Sequence, residues 1–145
     1  RRGARRARGP VGPPPEPAGI SVGRQLSVPD VDWQRQPQTV VLVLQQNCRY
    51  CSESTPFYKT LIAEASRRGV RVVAVFPNDE ASARAYLAGL GVDVPDLKIA
   101  DFRALEIRGT PTVLLADRQG VATHVWNGRL PDSREQDVLD ALVGR

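Results

Sequence analysis

At 145 residues, with 41% hydrophobic and 25% charged side chains, the chain has the size and composition of one globular domain with a modest core. Its net charge of +4 does not mark a nucleic-acid-binding fold: Arg1, Arg2, Arg5, Arg6 and Arg8 supply five of the 20 basic residues, and past Pro17 there are 15 basic and 15 acidic residues. No apolar run approaches the roughly 18 residues that span a bilayer, and with no methionine anywhere the chain reads as a processed product, any membrane tether or signal lying before Arg1.

Residues 1–22, rich in Arg, Gly, Pro and Ala around Pro13-Pro14-Pro15, read as a basic, Pro-rich arm, and residues 23–145 as one folded domain. Residues 26–28 are expected as a short edge strand stopped by Pro29. The run 39–45 (Thr-Val-Val-Leu-Val-Leu-Gln) is continuous and β-branched, as in a strand covered on both faces. A helix is expected over about 48–68, with Phe57, Leu61, Ile62 and Ala65 inward and Gly69 as its stop. Residues 70–76 read as a second buried strand ended by Pro77. Asn78 is the expected cap of a helix through Leu90, with Ala83, Tyr86, Leu87 and Leu90 inward. A short strand over 97–100 and one or two helical turns over 102–107 follow. Residues 112–116 and 121–126 read as a hairpin around Asp117-Arg118-Gln119-Gly120. Asp132 and Glu135 read as the capping box of a last helix, with Val138, Leu139, Leu142 and Val143 buried. The order βαβα, connector, ββα gives a mixed sheet, parallel first and antiparallel at one edge.

The two cysteines are Cys48 and Cys51, two residues apart at the end of a buried strand and the start of a helix. Asn47 is the expected cap of that helix, with Cys48 in its first turn. Free backbone N–H groups and the positive end of the helix dipole there favour a thiolate, the attacking species in thiol–disulfide exchange. Cys51, one turn on, is expected to be less exposed and to act as the resolving thiol. Arg49 is expected to stabilise the thiolate further. A zinc site needs about four ligands, and the only other candidate is His124 on a distant strand. A purely structural bridge over so short a loop would remove little chain entropy. Redox exchange is the favoured reading, with no metal and no cofactor beyond the disulfide.

The element order, the Cys-x-x-Cys at the first helix and Thr110-Pro111 before the next strand together resemble the thioredoxin superfamily. Pro56, five residues after Cys51, matches the proline that kinks the active-site helix of such proteins. Gly109-Thr110-Pro111-Thr112 is similar to their cis-proline loop, whose residue before the proline, here Thr110, pairs with the substrate backbone. The long separation from Cys48 to Pro111 leaves room for an inserted helix and strand. This, with residues 109–120, is similar to the TlpA/ResA-like thiol-disulfide oxidoreductases over residues 23–143.

The resemblance implies an α/β thioredoxin-like fold: a central mixed sheet flanked by helices on both faces, with a helix–strand insertion before the cis-proline loop. It implies an enzyme exchanging disulfides with protein thiols and with an upstream electron donor or acceptor protein, expected as a monomer and outside the cytoplasm. Other readings are a disulfide isomerase or oxidase of DsbC/DsbG type, or a redox-silent binding module. Five positions depart from the pattern. Asn47 replaces a tryptophan, and Arg49-Tyr50 replace Gly-Pro or Glu-Pro. Leu42 stands where thioredoxins bury an acid. Ser54 stands where TlpA/ResA-type proteins carry a glutamate, and neighbouring Glu53 is rotated by about 100° around the helix. Asn47, Arg49, Tyr50 and Glu53 are therefore the residues expected to tune the pair, and the direction of electron flow stays open. Trp33 and Trp126 are read as packing residues and His124 as a surface residue.

Overall fold

A computed structural model describes residues 19–143; the arm as far as residue 18 lies outside the described residues. Five strands form one sheet in the order β3-β2-β1-β4-β5. They are β1 (Thr39–Val43), β2 (Arg71–Phe76), β3 (Leu97–Ile99), β4 (Thr112–Ala116) and β5 (Ala122–Asn127). The central strand β1 runs parallel to β2 and antiparallel to β4, and every one of its residues is buried. Burying each Val or Leu side chain contributes about 1.5–3 kcal/mol, more than any strand propensity, so this run organises the sheet around itself.

Alternation along β1 and β2 sorts the core into two layers. Val40, Leu42, Leu44, Ala74 and Phe76 point to one side, where helix residues Phe57, Leu61, Ala83, Leu87 and Val138 cover them. Val41, Val43, Val73 and Val75 point to the other, closed by Ile20, Leu26, Val28, Ala100, Leu105 and Ile107. The second face is therefore covered by the chain before β1 and by the tight turns at 102–106. Those turns are held by Leu105 N–H to Asp101 O and Ile107 N–H to Phe102 O. Ile20, read as part of the arm, is buried in this layer, so the folded body reaches further back than residue 23.

Among the described residues there are four α-helices: α1 (Arg49–Glu53), α2 (Thr55–Arg67), α3 (Glu80–Leu90) and α4 (Asp132–Ala141). The single helix expected over 48–68 is two, separated at Ser54. Pro56 has no N–H to give the Ser52 carbonyl, and the Thr55 hydroxyl serves that carbonyl instead at 2.7 Å. Helix α3 and strand β3 are the expected insertion. Its cap is Asp79, not Asn78: the Asp79 carboxylate accepts the Ser82 N–H at 2.8 Å, the stronger acceptor taking the position.

Two further expectations shift by one residue or more. Helix α4 begins at Asp132 with Pro131 as its cap, because Pro131 already has the extended backbone a cap requires; Asp132 and Glu135 make no capping box, and Val143 is exposed. Residues 26–28 form no strand. The chain touches the start of β5 through a single bridge, Gln25 to Val121, and then turns away at Pro29 and Asp30.

Candidate active site

The chain leaves β1 through Gln45 and Gln46 and turns at Asn47, whose φ of 59° is left-handed. Asn tolerates that region better than other non-glycine residues. A helix cap needs extended backbone, so Asn47 cannot be the cap, contrary to the sequence reading. Cys48 is. With φ −96° and ψ 110° it directs its own sulfur onto the Cys51 N–H at 3.1 Å. The sulfur thus occupies the place of a capping oxygen at the positive end of α1.

Cys48 and Cys51 are joined as a disulfide with Cα atoms 5.2 Å apart. Cys51 has no exposed surface, whereas Cys48 is partly exposed. This asymmetry follows from the cap: the first sulfur faces out of the helix end and the second, one turn in, faces the sheet. Beneath Cys51 the apolar layer includes Leu42, completely buried at the position where a thioredoxin acid would stand. Ser54 is also buried, and its hydroxyl is committed to the Tyr50 carbonyl at 2.7 Å.

The segment before β4 completes the site. The Thr110–Pro111 peptide is cis. The Thr112 hydroxyl bonds the Gly109 carbonyl at 2.8 Å, and the Gly128 N–H bonds the Pro111 carbonyl at 2.7 Å. Held this way, the Thr110 hydroxyl donates to the Cys48 sulfur at 3.2 Å, and the Thr110 carbonyl oxygen lies 3.5 Å from the same atom. The sulfur therefore accepts two donors, the Cys51 N–H and the Thr110 hydroxyl, each closer than the one carbonyl that would disfavour negative charge. Sequence reasoning selected Thr110 for its backbone; its side chain makes the shorter contact with the sulfur.

The residues expected to tune the pair lie on the solvent side. Arg49 is 79% exposed and donates to Glu53 at 2.9 Å, with its guanidinium also over the Tyr50 ring. Glu53 bonds a second cation, Arg129, at 2.8 Å. The Arg49 hydrogen bond, reinforced by Arg129, holds the Glu53 carboxyl below the usual carboxylate value, so Glu53 is a charged anchor and not a ready proton acceptor. Tyr50 is half exposed between the two cysteines. Arg129 and Ser52 escaped the sequence reading, which has Tyr86 only as an inward helix residue; the Ser52 and Tyr86 hydroxyls meet at 2.8 Å beside the Cys48 carbonyl. Nothing local marks Arg129. It arrives because β5 pairs back along β4, bringing Asn127 opposite Thr112 at the site end of the sheet.

His124 lies three residues further from that end, opposite Leu115, stacked on Trp126. Trp126 is buried in the helical layer and Trp33 packs on the second layer beside Gly120. All three match their reading as surface or packing residues. Among the described residues no three His, Cys, Asp or Glu side chains are grouped to hold a metal ion, and no helix is long and apolar enough to cross a membrane.

The sequence model of the Redoxin family matches residues 23–142. No curated protein matches the chain in sequence. Solved structures do match it in fold. A candidate thiol:disulfide interchange protein DsbE from Chlorobium tepidum superposes with a TM-score of 0.63 at 21% identity, covering 86% of this chain and 97% of the other. A thiol-disulfide isomerase from Corynebacterium glutamicum gives 0.62 at 18% identity over 92% and 97%. A secreted Mycobacterium tuberculosis disulfide oxidoreductase homologous to DsbE of Escherichia coli gives 0.59 at 11% identity over 73% and 82%.

Proposed function

The chain belongs to the Redoxin family and is a thiol-disulfide oxidoreductase, and we propose that Cys48 is the sulfur its protein partners meet first, with Cys51 as the resolving thiol. The observation that carries this assignment is the asymmetry of the pair: Cys48 is reachable and accepts two hydrogen bonds, and Cys51 is sealed behind it.

In the oxidised form a partner thiolate attacks the Cys48 sulfur. A partner–Cys48 disulfide forms, the Cys48–Cys51 bond breaks and Cys51 leaves as a thiolate. A second partner thiolate then attacks the partner's own sulfur, closing a partner disulfide and releasing Cys48 as a thiolate. Two electrons pass from partner to protein. Run in reverse, the Cys48 thiolate opens a partner disulfide and Cys51 releases the reduced partner. The Cys51 N–H, the Thr110 hydroxyl and the end of α1 serve the Cys48 thiolate in both directions, because charge sits on that sulfur whenever it attacks or leaves. Arg49 adds a weaker share, since it is exposed, screened by salt and already paired with Glu53.

Thr110 and Pro111 present backbone to the partner chain as an added strand, and the exposed Tyr50 ring offers it an apolar contact. The protein works as a TlpA-like enzyme outside the cytoplasm, a location supported by its likeness to the secreted Mycobacterium tuberculosis oxidoreductase. Cys51→Ser is the direct test. It should trap a mixed disulfide through Cys48 with a reducible protein substrate, while Cys48→Ser traps none. Trapping through the other sulfur would reverse the roles. A wild-type protein that exchanges no disulfide with glutathione or a protein dithiol would leave only a binding module.

A further inference from the structure

The inserted helix α3 does not carry either cysteine, yet one of its side chains reaches the catalytic turn. Tyr86 is partly buried, its ring set edge-on to Phe76 at the end of β2, 6.1 Å between centroids. Its hydroxyl lies 2.8 Å from the Ser52 hydroxyl and 3.4 Å from the Cys48 carbonyl oxygen. The Ser52 hydroxyl is itself 3.1 Å from that carbonyl, which also accepts the Ser52 N–H at 3.0 Å.

Each hydroxyl has one proton, and this decides the arrangement. The Cys48 carbonyl has two lone pairs, filled by the Ser52 N–H and the Ser52 O–H, its two shorter contacts. The Tyr86 proton therefore goes to the Ser52 oxygen. The result is a chain of hydroxyls, Tyr86 to Ser52 to the Cys48 carbonyl, in which each bond strengthens the next.

That carbonyl belongs to the peptide immediately after Cys48. Pinning it fixes the ψ of Cys48 at the extended value that aims the sulfur at the Cys51 N–H. We propose that Tyr86 is a positioning residue for Cys48, acting through Ser52, so that the inserted helix sets how well the attacking thiolate is stabilised. The inference rests on the reading of Cys48 as the attacking thiol.

The test uses Tyr86→Phe in the full chain, which keeps the ring packed on Phe76 and removes only the hydroxyl. Two readouts are taken: thiolate absorbance at 240 nm of the reduced protein against pH, and the thiol–disulfide equilibrium with glutathione. Losing one hydrogen bond of ordinary strength should lower the Cys48 thiolate fraction near neutral pH by roughly two- to tenfold and make the disulfide correspondingly harder to reduce. Ser52→Ala should cause at least as large a change. The double variant should do no more than Ser52→Ala alone, because the two hydroxyls form one chain. If wild type exchanges with glutathione and Tyr86→Phe titrates and equilibrates identically to it, the positioning role is wrong. Strictly additive effects of the two substitutions would also overturn it. A wild type without exchange would instead remove the reading of the site on which the inference stands.

Discussion

The hydroxyl of Thr110 donates to the sulfur of Cys48 at 3.2 Å, joining residues 62 apart in the chain. This contact ties the turn before β4 to the N-terminal end of α1. It places a second donor on the sulfur besides the Cys51 N–H.

Replacing that hydroxyl with a methyl group of the same size isolates it. Thr110→Val should lower the fraction of Cys48 present as thiolate at neutral pH on the order of tenfold, since a hydrogen bond to a charged group contributes about 1.5–3 kcal/mol. Absorbance of the reduced protein at 240 nm against pH measures this. An unmoved titration would show that the Cys51 N–H and the helix end suffice.

Glu53 holds Arg49 and Arg129 together, bridging α1 and the loop after β5. Its folded-state value lies below the ordinary 4.5, so its contribution to stability is fully present above 4.5 and is lost as pH falls through the depressed folded value. Wild type should therefore be more stable than Glu53→Gln at neutral pH, and the two should converge in acid. Melting temperatures across that range test the sign; a gap that widens on acidification would contradict it.

Tyr58 is almost fully buried against the helical layer, and its hydroxyl makes no hydrogen bond. The nearby Ser54 hydroxyl sends its own proton to Tyr50, and burial pushes the Tyr58 hydroxyl far above its ordinary range. Tyr58→Phe removes an unpaired polar atom and should be neutral or stabilising by up to about 1 kcal/mol. Urea denaturation decides this, and a loss of stability greater than that would reveal a partner for the hydroxyl.

Gly120 sits at φ 76° in the β4–β5 turn, and a Cβ there would come within 2.6 Å of the Trp33 ring. Gly69 has a similar φ of 71° but open space around it. Gly69→Ala should lose about 1–2 kcal/mol from backbone strain alone. Gly120→Ala should lose distinctly more, because Trp33 must also move. Equal losses in chemical denaturation would mean that Trp33 adapts without cost.

The sheet was legible along the chain wherever burial dictated pattern. The continuous run in β1, the glycine stop at Gly69 and the hairpin at Asp117–Gly120 each express a local requirement that sequence displays directly. The cysteine pair and Thr110-Pro111 stand out in the sequence for the same reason: the spacing of the two thiols permits the disulfide found there, and Thr-Pro permits the cis peptide. Caps were less so: Asn47 and Asn78 have the right side chains, but the backbone of Asn47 is used for a left-handed turn and Asp79 is the stronger acceptor.

What sequence alone determined is which atoms can react: two thiols, one turn apart at the end of a buried strand, with Leu42 excluding an acid beneath them. What only the tertiary structure decided is what surrounds the Cys48 sulfur. The Thr110 hydroxyl, Arg129 on Glu53 and the Tyr86–Ser52 chain come from segments far apart in the chain, brought together by strand pairing and by an inserted helix. Hydrogen bonds of about 3 Å depend on where the folded backbone passes, and no local pattern of residues encodes that distance.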